Sequence, residues 1–452
     1  MASSQRDISG RRVDFMIAAV RARLRFTETE LLLAPSLMAI VGLLTIFLVP
    51  RHTLDWTWSD IWISFAFVAI ILGINISFGV LGVRGDQVLF PVTAALSGLG
   101  LLMIQRLYPA LASINPYFNT LAQKQFVFLV AGLAVLWLTT MFFRGRINLL
   151  RRYKYTALVL SLAMLAATFV FGTSVNGARI WISVGPIQIQ PSEIVKVTLV
   201  VFLAGYLDEY KDLLGSTWRV GFLRLPPIPY LLPMILMWLA SVLVLVVQND
   251  LGTALLFFGI FLVMIYMATA KPLYVVIGLA SFAIASYGAY VAFDRIGDRV
   301  QNWLDPWQDP LIVGYQPIQS DYSLTAGGVI GTGLAQGQPW RIPEVHTDFV
   351  FSAIGEELGL LGSVAVLALY LLLVMRAFGV AVSSRSGFTR LLAGGLAATL
   401  ALQTVIIIGG VLRVIPLTGI TLPFISYGGS SLLTNFLIVG LLLAISDQNR
   451  AL

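Results

Sequence analysis

Apolar runs of about twenty residues recur along nearly the whole chain, each near the length an α-helix needs to cross a hydrocarbon core. "LLLAPSLMAIVGLLTIFLV" near one end and "LLTNFLIVGLLLAI" near the other are typical. In lipid every backbone N–H and C=O must be satisfied by the protein, so only helices and closed barrels can span. A barrel would show shorter segments alternating between apolar and polar residues. The runs here are continuous, so the expected fold class is an all-α polytopic membrane protein. With 58% of 452 residues hydrophobic and 11% charged, no soluble class fits. The chain has no cysteine, which excludes disulfides and thiolate metal sites.

The spacing predicts about twelve helices, near 31–50, 61–82, 88–107, 126–143, 156–172, 191–207, 228–248, 251–270, 273–293, 347–376, 389–412 and 430–446. Asp250 interrupts one apolar run, and the division is placed there because a carboxylate costs less at a helix junction than at mid-bilayer. Basic residues set the orientation. Arg11, Arg12, Arg21, Arg23 and Arg25 precede the first run, and "RGRINLLRRYKY" follows the fourth. Lys211, Arg219 and Arg224 follow the sixth, and Arg376, Arg385 and Arg390 surround the connection after the tenth. Twelve crossings place all of these on one face, which the positive-inside rule makes cytoplasmic. Both termini are then expected in the cytoplasm. The net charge of +7 records this orientation and does not imply nucleic-acid binding. The amino-terminal tail is too long and too charged before its apolar run to be a cleaved signal peptide.

Two long segments fall on the opposite face: 173–193, and a larger loop over 294–346 before the tenth helix. Both are rich in Gly and Pro but keep aromatic and aliphatic residues, so ordered loops near the membrane surface are expected. In the larger loop "WLDPWQDP" sets Asp305 and Asp309 four residues apart, each before a proline that restricts the backbone. Glu193, Asp250, Asp305, Asp309, His346 and Asp348 all fall on this face, from separate parts of the chain. Lys196 lies three residues after Glu193 and shares its helix face. Three of the acids also have a purely structural reading: Glu193 with Lys196 as an ion pair, Asp250 as a helix cap, Asp305 as a turn cap. Their convergence suggests a cavity open to the outside, suited to a substrate that is half lipid and half polar. Glu356 and Glu357 lie well inside the tenth helix, where they must find partners or stay protonated. The run "IPLTGITLPFISYGGSSLL" breaks the backbone at membrane depth, which is tolerated where protein or water satisfies it. Its Gly428, Gly429, Ser430 and Ser431 could donate to an anionic group or simply pack helices.

Five segments, in order and in register, carry a resemblance: "NGARIWISVGPIQIQPSEIVK", "QNDLGTALL", "DPWQDPLIVGYQPIQS", "PEVHTDFVFSAIGEELG" and "PLTGITLPFISYGGSS". They resemble the SEDS family, the RodA/FtsW/SpoVE type of cell-wall polymerase, with a leaning toward the elongation type over the division type. The resemblance implies a ten-helix core over residues 88–446, preceded by a cytoplasmic tail (1–28) and two extra helices (29–87), and followed by a short cytoplasmic tail (447–452). It implies an inverting glycosyltransferase that polymerises lipid II at the outer face of the bacterial cytoplasmic membrane. Asp309 matches the family's essential aspartate, whereas Asp305 matches nothing fixed. Glu193, Lys196 and Asp250 match functional polar positions, and Arg179, Gln316 and His346 match recurrent ones expected to bind substrate. A class B penicillin-binding protein is the implied partner. No organic cofactor is implied. A divalent cation, magnesium or manganese, is compatible with diphosphate chemistry. This chain departs from the family in reading "QND" for the usual "QPD". It also reads "QTVIIIGGVLR" where an Asn commonly stands about two turns before the last proline-rich motif. A flippase for the lipid-linked precursor is the competing reading. The charges gather toward one face and no internal repeat is visible, both of which weigh against it. A non-catalytic scaffold is the third.

Overall fold

The computed structural model describes residues 25–48, 61–175, 178–185, 187–215, 218–220, 223–225, 235, 238–239, 250–292 and 294–451. The long helices are α1 (Phe26–Leu48), α2 (Trp62–Val80), α3 (Leu89–Ile114), α4 (Leu121–Phe143), α5 (Lys154–Phe171) and α6 (Pro191–Gly215), then α7 (Leu251–Thr269) and α8 (Pro272–Ala292). Two shorter helices follow, α9 (Asp294–Leu304) and α10 (Tyr315–Gly327), before α11 (Val350–Val382), α12 (Gly387–Val411) and α13 (Gly429–Ala451). Among the described residues, 10 helices are long and apolar enough to cross a membrane. Eleven of the twelve expected helices have a counterpart here. The expected helix at 228–248 falls almost entirely outside the described residues.

Helices α3, α12 and α13 form the centre of the bundle, with 94%, 83% and 78% of their apolar windows buried. Helix α13 packs along α4, and α12 packs against α6, α7 and α11. The outer helices, α1, α5 and α8, turn exposed Leu, Val and Phe outward, as a lipid-facing surface requires. The two amino-terminal helices are tied to the core by polar contacts. Arg25 pairs with Glu28, donates to the Val83 carbonyl at 2.8 Å, and Glu28 in turn accepts from Asn75 at 2.8 Å.

Both long segments hold regular structure among their described residues. The first folds into a three-stranded antiparallel sheet: β1 (Gly172–Val175), β2 (Ala178–Val184) and β3 (Ile187–Ile189), in that order. Its register sets Ile182 against both Gly172 and Ile189. The second contains α9 and α10, with the Asp309 turn between them.

Glu356 and Glu357 do find partners. Glu357 accepts from Arg106 Nε at 2.7 Å and from the Ala335 N–H at 2.9 Å, and Glu356 accepts from Ser323 and the Gln338 N–H. Helix α11 is broken at Gly359, whose φ of 67° favours glycine, and segment 328–333 inserts beside the break. The freed backbone is satisfied there: Leu360 N–H donates to Gly328 and Thr332 N–H to Glu356, both at 2.9 Å. The break is filled by the chain that precedes the helix.

Candidate active site

Helix α6 starts at Pro191, directly after β3, and one turn later presents Glu193 and Lys196 on the same face. The Lys196 ammonium is 1% exposed and lies 2.5 Å from Glu193 Oε2. It also donates to Gln403 Oε1 on α12 at 2.9 Å and to Asn435 Oδ1 on α13 at 3.2 Å. Gln403 passes its own amide N–H to the Thr421 carbonyl at 2.9 Å, and Asn435 passes its amide N–H to Ser431 at 3.2 Å. Thr421 donates to Ser431 at 2.6 Å. A buried cation is tolerable only with this degree of pairing. The network ties the β3–α6 corner to the proline-rich segment before α13. Ser430 accepts the Gln190 N–H at 3.1 Å. The hydroxyls of the GGSS motif therefore satisfy groups inside the protein.

Asp250 caps α7, accepting the Thr253 N–H at 3.1 Å. Its other oxygen is buried without a hydrogen-bond partner among the described residues. Burial, followed by the nearby Glu193 charge, holds its pKa above the usual carboxylate range.

His346 is buried between the rings of Phe118 and Tyr427, at 5.1 and 5.7 Å. Burial lowers its pKa to about 4, so the ring is neutral at pH 7. Its carbonyl accepts the Tyr427 N–H at 2.8 Å. With the Ser426 contact to the Thr347 carbonyl, this fastens segment 343–348 to the proline-rich segment.

A cavity of about 480 Å³ is bounded by Arg299, Gln316, Glu344, Asp348, Arg413 and Gly419 among others; Glu193, Lys196, Asp250 and His346 are not in its lining. That volume is within the range of small-molecule sites. Asp309 does not line it but lies in the turn just before the wall residue Val313. Its carboxylate accepts the Ile312 N–H at 3.3 Å, and its carbonyl accepts the Gly314 N–H at 2.9 Å. Gly314 has no alternative here, because a Cβ would fall 1.9 Å from the Pro306 carbonyl oxygen. Asp305 caps the short 3-10 turn Pro306–Gln308 through the Trp307 N–H at 3.0 Å, the structural part expected of it.

The structure thus joins Glu193 and Lys196 directly and sets Asp250 within their electrostatic reach. It places Gln316 in the cavity wall and Asp309 in the turn just before the wall residue Val313, and it buries His346 in an aromatic packing site. Arg179 lies on β2, and its side chain is outside the described part of the molecule. Sequence reasoning missed Gln403 and Asn435. Both were visible as amides inside apolar helices, where polar groups are functional by default. Arg299 and Arg413 line the cavity and were not proposed either, whereas Asp348, one of the acids expected to converge on a cavity, does line it.

Among the described residues, no three His, Cys, Asp or Glu side chains stand together as a metal cage.

A model of the FtsW/RodA/SpoVE family, described as cell cycle protein, matches residues 87–451. The chain belongs to this family. Among curated relatives, the peptidoglycan glycosyltransferase RodA of Mycobacterium tuberculosis is 41% identical over 370 residues, spanning 81% of this chain and 78% of that protein. Stage V sporulation protein E of Bacillus subtilis is 35% identical, with 81% and 98% covered. Among solved structures, a peptidoglycan synthase complex studied for its coordination of polymerization and crosslinking aligns with a TM-score of 0.64 at 33% identity, covering 81% of this chain and 98% of that one. The rod shape determining protein RodA of Thermus thermophilus aligns with a TM-score of 0.59 at 30% identity, covering 81% and 98%. The matched region begins after α2, so the two amino-terminal helices lie outside the shared core.

The cavity acid gives a pH prediction. Burial and the Glu344 charge raise the Asp348 pKa to about 7, from 3.8. A carboxyl raised in the folded state stabilises the fold below its unfolded pKa, and that contribution is lost as pH rises through the folded value. His346, lowered to about 4, works in the opposite direction over an overlapping range. The informative quantity is therefore the difference between wild type and Asp348→Asn in thermal unfolding. Wild type should lose ground to the variant as pH rises from about 4 to about 7. Parallel profiles would place this titration elsewhere.

Proposed function

We propose that this chain is a peptidoglycan glycosyltransferase that polymerises lipid II into glycan strands at the outer face of the cytoplasmic membrane. The observation that carries this reading is a polar cavity lined by Arg299, Gln316, Asp348 and Arg413, one of whose wall residues, Val313, directly follows the Asp309 turn. Glycan extension joins a sugar 4-hydroxyl to an anomeric carbon that leaves a lipid diphosphate. Asp309 accepts the hydroxyl proton as the C–O bond forms, and the bond to the diphosphate breaks with its electron pair staying on the diphosphate. A single displacement inverts the anomeric carbon, so no second carboxylate is needed as a nucleophile. Lys196, held by Glu193, Gln403 and Asn435, supplies a fixed positive charge toward the departing anion. Gln316 and Asp250 are assigned to substrate contacts, Arg179 to the same role from β2, and His346 to holding the cavity's wall. A class B penicillin-binding protein is the proposed partner, in keeping with the similarity to a solved synthase complex.

The deciding experiment uses purified protein in liposomes with labelled lipid II, with and without chelation and metal add-back. Glycan chains made by this chain alone support the reading. Translocation without polymer would make the chain a flippase. The chain has no native cysteine, so a Gln338→Cys variant in the same liposomes reports which face carries the site through an impermeant thiol reagent.

Lys196→Met retains the apolar stem and removes the charge. It should lower polymerisation about tenfold or more, the scale of a charge-assisted hydrogen bond. Full activity in both this variant and Glu193→Ala would reduce the pair to packing.

A further inference from the structure

Helix α12 ends in a left-handed cap. The Val414 N–H reaches back to the Gly409 carbonyl at 2.8 Å and the Arg413 N–H to Gly410 at 3.1 Å, the Schellman pattern. The residue that must adopt positive φ in this cap is usually glycine. Here it is Arg413, at φ 56°. A side chain in that position is unfavourable for the backbone, so its retention calls for a use that glycine could not serve.

The contacts show such a use. Arg413 Nη2 donates to the Trp303 carbonyl at 3.0 Å, and the Trp303 indole N–H donates back to the Arg413 carbonyl at 2.8 Å. Arg413 Nη1 pairs with Asp321 on α10 at 2.9 Å. Trp303 precedes the Asp309 turn and Asp321 follows it. One guanidinium therefore holds both flanks of that turn. Inside the turn, Asp305 and Asp309 cap their own neighbours, and Gly314 closes it on the Asp309 carbonyl. Those bonds fix its shape but do not attach it to the bundle. The same helix carries Gln403, which grips Lys196, roughly 15 Å earlier at 1.5 Å per residue.

We propose that Arg413 is a positioning residue for Asp309, fastening the acidic turn to the helix that also holds the Lys196 network. The inference rests on the proposed catalytic part of Asp309. In this role Arg413 acts through Asp309 and not on a reacting atom. It sets the distance between the acidic turn and the cationic network, and a misplacement near 1 Å at such a site is costly in rate.

The test is Arg413→Gly, because glycine suits the cap's backbone better than arginine does. Thermal stability should hold or rise, while kcat falls about tenfold or more with KM for lipid II little changed. Arg413→Lys, which keeps the charge but loses the planar fork, should fall between the two. The geometric readout is independent of catalysis. Spin labels at Leu311→Cys and Val405→Cys, both exposed positions in a cysteine-free chain, report the separation of the turn from α12. The distance distribution should broaden in Arg413→Gly and stay narrow in wild type. An unchanged distribution overturns the clamp itself. A broadened distribution with full polymerisation overturns the proposed role of Asp309 while leaving the clamp in place. Parallel loss of melting temperature and activity would make Arg413 a residue of the fold only.

Discussion

Asp309→Asn should lower lipid II polymerisation by about a hundredfold or more, the scale of a lost general base. The substitution keeps an oxygen that can accept the Ile312 N–H now held at 3.3 Å, so the turn should survive. The side chain is half-exposed and buries little core, so melting temperature should move little. Asp305→Asn is the matched control. It removes the same charge four residues earlier, and its oxygen can still cap the turn through the Trp307 N–H. It should keep activity within a few-fold of wild type, as a capping change with the cap preserved should. Equal impairment in the two variants would mean that the loop's charge or folding matters, not one positioned acid. Normal polymerisation by Asp309→Asn would move the search to Glu193 and Asp250.

The turn-capping part of Asp305 was legible in the sequence because the cap is local. Asp-Pro before a short turn is a pattern of neighbouring residues, and the structure realises it within two or three positions. The bundle was legible for a related reason: length and continuous hydropathy suffice to identify a spanning helix. The partners of Lys196 were not legible in this way. Gln403 and Asn435 lie 207 and 239 positions away, and no periodicity relates them to "PSEIVK". The chain's departure from the family at "QTVIIIGGVLR" acquires a physical content here. The Gln403 amide of that segment bridges the Lys196 ammonium to the Thr421 carbonyl. The other departure, Asn249 in "QND", falls outside the described residues. The break in α11 was hidden as well. Gly359 reads as an ordinary small residue until segment 328–333 is seen beside it.

The largest loss of stability should follow Glu357→Ala. The Arg106–Glu357 pair is 2.7 Å apart, and both side chains are fully buried within the bundle. Removing the carboxylate strands a guanidinium there and also leaves the Ala335 N–H without its 2.9 Å acceptor. Breaking a buried pair from one side costs roughly 3–5 kcal/mol. Arg106 would keep its 2.9 Å bond to the Gly337 carbonyl and its place over the Trp340 ring, which offsets part of that loss. The comparison is Glu344→Ala, 44% exposed, where a solvent-screened acid should contribute about 1 kcal/mol or less. Thermal unfolding in detergent should separate the two variants clearly. The double variant Arg106→Met with Glu357→Met removes both charges and fills similar volume, so it should be less destabilised than Glu357→Ala alone. That ordering distinguishes a stranded charge from a lost shape. If the double variant is the least stable of the set, the pair's value lies in the hydrogen bonds that hold segment 335–337 against α3 and α11, not in the electrostatics of one unpaired arginine.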